Sequence, residues 1–103
     1  MDNRYSDEEK FINLELFRDS DGTIFQSIAN ELTKKFSIQW KAKIDSFDQR
    51  YWDFEYKGVT LTLHLEHYLG ISIFAKKSEM DTETSKQILK EFGDHFKSWN
   101  SSN

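Results

Sequence analysis

Residues 50–76, RYWDFEYKGVTLTLHLEHYLGISIFAK, limit what this chain can become more than any other stretch. Aromatics occupy every second position at Trp52, Phe54 and Tyr56. Aliphatics do so at Val59, Leu61, Leu63 and Leu65, and again at Ile71, Ile73 and Ala75. Side chains alternate across a pleated strand, so each set falls on one face. Gly58 and Gly70 stand at the two reversals, where a residue at ease with positive φ is most useful. The stretch therefore predicts three consecutive strands of a β-meander with one apolar face.

The flanks extend the pattern. FINLELF, residues 11–17, alternates with Ile12, Leu14 and Leu16 on one side and Asn13 and Glu15 on the other. SIQWKAKI, residues 37–44, places Ile38, Trp40, Ala42 and Ile44 inward and Gln39, Lys41 and Lys43 outward. Between them TIFQSIANELTKKF has helical spacing, with Phe25, Ile28, Ala29, Leu32 and Phe36 as its buried stripe. Thr23 is the candidate N-cap, with Gln26 at capping-box distance. After Lys76 a second helix is expected, capped by Ser78 or Asp81, with Ile88, Leu89, Phe92, Phe96 and Trp99 as its stripe. Gly93 lies inside that helix, where glycine costs roughly 1 kcal/mol relative to alanine. A close approach to the sheet would account for it.

The order β-α-β-β-β-β-α predicts an α+β two-layer sandwich, a mostly antiparallel five-stranded sheet with both helices on one face. The β-α-β start permits one parallel pair with a right-handed crossover. Residues 10–100 read as a single domain, flanked by tails at 1–9 and 101–103. Sixteen per cent of the 103 residues are aromatic, which supplies a core despite 31% charged residues.

Composition narrows function. A net charge of −4 argues against a general nucleic-acid binder and favours either simple solubility, the ordinary reason for an acidic chain, or a basic protein partner. The first residues are polar and acidic, without the apolar core of a signal peptide, and no apolar run approaches the ~20 residues of a membrane span. With no cysteine, disulfides and thiolate chemistry are excluded, and a cytoplasmic location is expected.

No stretch makes a case for catalysis, a cofactor or a metal. Asp19 and Asp21 before Gly22 fit part of a calcium loop, but its first and twelfth positions would be Phe17 and Ile28, which cannot ligate. In HLEH, residues 64–67, His64 and Glu66 share a strand face and His67 points away; the spacing of a helical zinc site is missing. No glycine-rich phosphate loop or nucleophile elbow occurs, and the serines at 20 and 98–102 have no placed base.

The remaining candidates lie on the surface. The face away from the helices is expected to carry Lys41, Lys43, Asp53, Glu55, Thr60, Thr62, His64, Glu66, Ser72 and Lys76, with Phe74 among them, Phe11 and Phe17 near Phe74, and Tyr68 at the second turn of the meander. Phe74 on a polar face is either covered by neighbours or an interface anchor. Asp45, Asp48, Asp53 and Glu55 form an acidic cluster suited to a basic protein, or simply a solvated rim.

The W-x-F-x-Y-x-G run at Trp52–Gly58, the E-x-x-x-G turn at Glu66–Gly70 and the amphipathic helix that follows resemble the meander-plus-helix core of small bacterial families of unknown function. They also resemble the small acidic immunity proteins that neutralise secreted toxins. The resemblance covers about residues 36–99. It implies stoichiometric binding to a basic toxin, without a motif that carries over residue by residue. The expected function is thus a non-enzymatic protein-binding domain, an immunity protein in its most specific form. The alternatives are a homo-oligomer, such as a homodimer through Phe74 or an edge strand, and a small-ligand protein with a pocket between helices and sheet.

Overall fold

The computed structural model describes residues 11–19, 21–76 and 82–99. The expected tails, the Ser78 or Asp81 cap, and the side chains of Phe11 and Lys76 lie outside the described residues. The elements are β1 (Phe11–Phe17), α1 (Gly22–Phe36), β2 (Trp40–Asp45), β3 (Gln49–Tyr56), β4 (Val59–Glu66), β5 (Gly70–Lys76) and α2 (Thr82–Lys97). The strands form one sheet in the order β1-β5-β4-β3-β2, and every neighbouring pair is antiparallel. This is the expected α+β sandwich. The opening β-α-β does not make the parallel pair it permits. β1 and β2 point the same way but occupy opposite edges, and α1 carries the chain between them.

Alternation in the meander decides which face is buried. Trp52, Phe54, Leu61, Leu63, Leu65, Ile71, Ile73 and Ala75 meet Phe25, Ile28, Ala29 and Leu32 of α1 and Ile88, Leu89, Phe92 and Phe96 of α2 in one core. Both helices thus lie on the same side of the sheet. Aromatic rings interlock edge to face within it: Phe25 on Trp52 at 4.9 Å between centroids, and Phe36 on Phe92 at 4.9 Å. The helices are tied at their polar margins, where His95 Nε2 lies 2.6 Å from Glu31 Oε2.

Asp21, not Thr23, caps α1. Its extended backbone lets the Asp21 carboxylate accept from the Thr23 amide at 2.7 Å, and Gln26 instead donates to Asn30 at 3.0 Å. A free amide in the first turn is met best by the charged oxygen two residues before it. Asp21 is therefore engaged in starting the helix. Gly93 gives the close approach expected of it: a Cβ there would lie 3.3 Å from Leu14 Cδ1 of β1.

Two turns fix the meander register. Lys57 (φ 53°) and Gly58 (φ 80°) both take positive φ between the paired Tyr56 and Val59, as a two-residue hairpin with the twist of its strands requires. Gly70 (φ 93°) closes the next hairpin against the end of β1, where a Cβ would sit 2.1 Å from the Phe17 carbonyl oxygen.

Two bulges overturn the expected facing of the edge strands. In β2 the register shifts between Trp40 and Ala42, so Ala42 pairs with Asp53, Lys43 with Trp52 and Ile44 with Tyr51. Directly paired residues share a face. Ala42 and Ile44 therefore turn away from the helices, and Lys43 turns toward them, its ammonium 4.4 Å from the centre of the Trp52 ring. In β1 the shift between Glu15 and Phe17 pairs Phe17 with Ile71, on the helix side. Phe17 meets Trp99 edge to face at 6.2 Å and does not join Phe74.

Candidate interaction surface

The uncovered face of the sheet is built from rows of paired residues. One row runs Ile44, Tyr51, His64, Ser72, Glu15; the next runs Ala42, Asp53, Thr62, Phe74, Asn13. The first is more apolar than a solvated face needs to be. Tyr51 stacks on His64 at 4.5 Å and 15°, and His64 meets Phe74 edge to face at 5.8 Å. The Tyr51 hydroxyl donates to Gln49 Oε1. His64 Nε2 is enclosed and has no hydrogen-bond partner among the described residues. Burial lowers the His64 pKa below its usual 6.5, against the upward pull of Glu66.

Charge on this face is one-sided. Glu15, Asp53, Glu55 and Glu66 are set against Lys41 among the described side chains, and Lys41 is paired with Glu55 at 2.9 Å. Asp53 accepts from the Thr62 hydroxyl at 2.7 Å. The β2 bulge contributes by turning Lys43 to the other side. Arg50 also lies there, opposite Leu65, its guanidinium 5.5 Å from the centre of the Phe25 ring.

At one end this face runs into two adjacent turns. The β2–β3 turn holds Ser46, Phe47 and Asp48, and the β4–β5 turn holds His67, Tyr68 and Leu69. The His67 amide donates to the Asp48 carbonyl at 3.1 Å and joins them. Each is also closed internally: Ser46 N to Gln49 O at 2.8 Å, and Leu69 N to Glu66 O at 3.1 Å. Large apolar side chains project from this braced end. Phe47 is 104% exposed, Tyr68 84%, Leu69 65% and neighbouring Ile44 58%. Every large hydrophobic residue that is exposed among the described residues is gathered here.

The expected interface residues are therefore brought together in two parts. Asp53, Glu55, His64, Glu66 and Phe74 share the open face, and Tyr68 stands at the adjoining turns. The expected acidic cluster is divided: Asp45 turns to the helix side, where it accepts from Trp52 Nε1 at 2.8 Å, while Asp48 sits in a turn. His95 is far from the HLEH stretch, at the α1–α2 tie. Among the described residues no three His, Cys, Asp or Glu side chains gather in a way that could hold a metal ion. Ile44 and Phe47 belong to the surface but were not anticipated. A lone aromatic between Ser46 and Asp48 is the signal that marks Phe47; Ile44 carries none, because a bulge displays it.

Two hollows flank these features. A depression of about 410 Å3 on the open face is lined by Asn13, Glu15, His64, Leu69, Gly70, Ser72 and Phe74. A groove of about 400 Å3 lies between β1 and α2 over Leu14, Leu89, Gly93 and Phe96. On the groove's rim Lys90 and Asp94 pair with each other at 3.0 Å instead of converging on a ligand position. No helix among the described residues is long and apolar enough to cross a membrane.

Neither the curated proteins nor the solved structures contain a match to this sequence. A family sequence model does match, over residues 2–91, and the chain belongs to that family, described as Protein of unknown function (DUF3630).

Proposed function

We propose that this chain is a non-enzymatic protein-binding domain that docks a basic protein through its turn end and open face. The gathering of Ile44, Phe47, Tyr68 and Leu69 at one braced end carries the reading. Each exposed apolar side chain costs hydration free energy, and four in one place form an interface core that a partner would cover. The carboxylates of the adjoining face supply the polar rim and favour a partner of positive charge. A bacterial immunity protein that covers a basic toxin in the cytoplasm is the most specific form of this proposal, the form that the meander-plus-helix resemblance implies.

Self-association has less support. Two copies meeting through their open faces would oppose Glu15, Asp53, Glu55 and Glu66 to themselves, and the two edge strands are both bulged. The test is a pull-down from the source cell with wild-type protein and the Phe47→Ser/Tyr68→Ser double variant. Wild-type protein is expected to retain a basic partner stoichiometrically at low salt, with capture weakened as salt rises, and the variant to lose it. Equal capture by both would sink the proposed surface; recovery of the bait alone would move the weight to a homo-oligomer.

A further inference from the structure

We propose that the open-face depression is an anchor pocket for an arginine side chain of the partner, an inference that rests on the protein-binding function above. Its walls are of two kinds. The rings of Phe74 and His64, 5.8 Å apart and at 78° to each other, supply π surface. Glu15 supplies the charge, and its carboxylate has no hydrogen bond or ion pair among the described residues. Ser72 lies between Glu15 and His64 in the same row, and Leu69 continues the pocket into the exposed turn end.

The occupant follows from the unpaired carboxylate of Glu15. An anionic side chain would face Glu15 with Glu66 close by, and a purely apolar one would strip water from Glu15 without replacing it. A cation satisfies the carboxylate, and no cation among the described residues is paired with it. Lys41 is held by Glu55, while Lys43 and Arg50 lie on the helix side over Trp52 and Phe25. Between the two cationic side chains, a planar guanidinium can lie on a ring and present a fork of donors to a carboxylate at the same time. An ammonium is a strongly hydrated point charge that does the first poorly.

The probes are the capped tripeptides Gly-Arg-Gly and Gly-Lys-Gly, titrated against isotopically labelled protein while backbone amide resonances are followed. The arginine peptide is expected to shift the amides of Glu15, Gly70 and Ser72 saturably, and to bind about threefold or more tightly than the lysine peptide. Glu15→Gln, an exposed substitution that spares the core, should weaken the arginine peptide about fivefold. Equal binding of both peptides, or shifts spread over all carboxylates and untouched by Glu15→Gln, would overturn the pocket. The two proposals also separate with the captured partner. If Phe47→Ser/Tyr68→Ser abolishes capture and Glu15→Gln leaves its affinity unchanged, the pocket fails and the protein-binding reading stands.

Discussion

The two faces of this sheet are made by the same strands and solve opposite problems. In β4, Leu61, Leu63 and Leu65 are buried, while Thr62, His64 and Glu66 between them stay partly open. On the helix side rings from α1, α2 and the meander interlock edge to face in several directions, so each side chain is held by neighbours from more than one element. On the other side the aromatics form one short chain of ring contacts across two rows, Tyr51 to His64 to Phe74, with carboxylates around it. The difference teaches where each kind of free energy resides. Packing on the helix side stabilises the fold, and the open side leaves apolar and charged side chains uncovered.

The largest test of that division compares two phenylalanines. Phe54→Ala removes a fully buried ring and should cost about 3–5 kcal/mol by chemical denaturation. Phe74→Ala, on the open side, should cost about 1 kcal/mol. Comparable losses would mean that the open face is a second core. A smaller effect is expected where the two faces are joined at the sheet end. Gly70→Ala forces a Cβ onto the Phe17 carbonyl and should cost about 2–3 kcal/mol. Gly58→Ala, with nothing within 4 Å and only its positive φ to strain, should cost about 1 kcal/mol. If thermal melts rank these the other way, β1 yields at that contact and the open face is not rigidly framed.

The smallest effect is a pH dependence that comes from His64 on the open face. His64 holds its proton less tightly folded than unfolded, so below its unfolded value near 6.5 the unfolded chain binds more protons. Its contribution is constant above that pH and is lost progressively as pH falls from about 6.5 through the lower folded value. Stability measured from pH 8 to pH 5 should decline more for wild type than for His64→Phe, which keeps an aromatic beside Tyr51 and Phe74. Parallel curves would show that protonation of His64 is accommodated without cost, by Glu66 on its own strand or Glu15 two strands away in its row.

Much of the architecture was legible because alternation and burial agree over long stretches. From Tyr51 to Ala75 each apolar position points where the period places it, and Gly58 and Gly70 mark both reversals. The placement of Asp53, Glu55, His64, Glu66 and Phe74 on one open face followed from the same period. What was not legible turned on single-residue events. Residues 40–44, WKAKI, alternate without a flaw, yet a bulge reverses their facing after Trp40, and the Lys43 stem and ammonium pack on Trp52. The capping-box spacing of Thr23 and Gln26 pointed to Thr23 as the cap of α1, and the extended backbone at Asp21 gave that role to Asp21 instead. Phe47 carries a local signal, a lone aromatic between Ser46 and Asp48, but its place at the same sheet end as Tyr68 depends on how two distant turns come side by side.

The strand order also has a kinetic side. β2 to β5 are neighbours both along the chain and in space, so each pairing closes only a short turn. β1 pairs only with β5, joining Leu14 to Ile73 across a span on the order of sixty residues, and its closure entropy is the largest of the four pairings. The meander can therefore assemble first, with β1 arriving last and leaving first. Amide exchange in β1 faster than in β4 would be the sign of it. Because β1 brings Glu15 and Asn13 to the open face, that face would be completed only in the final step of folding.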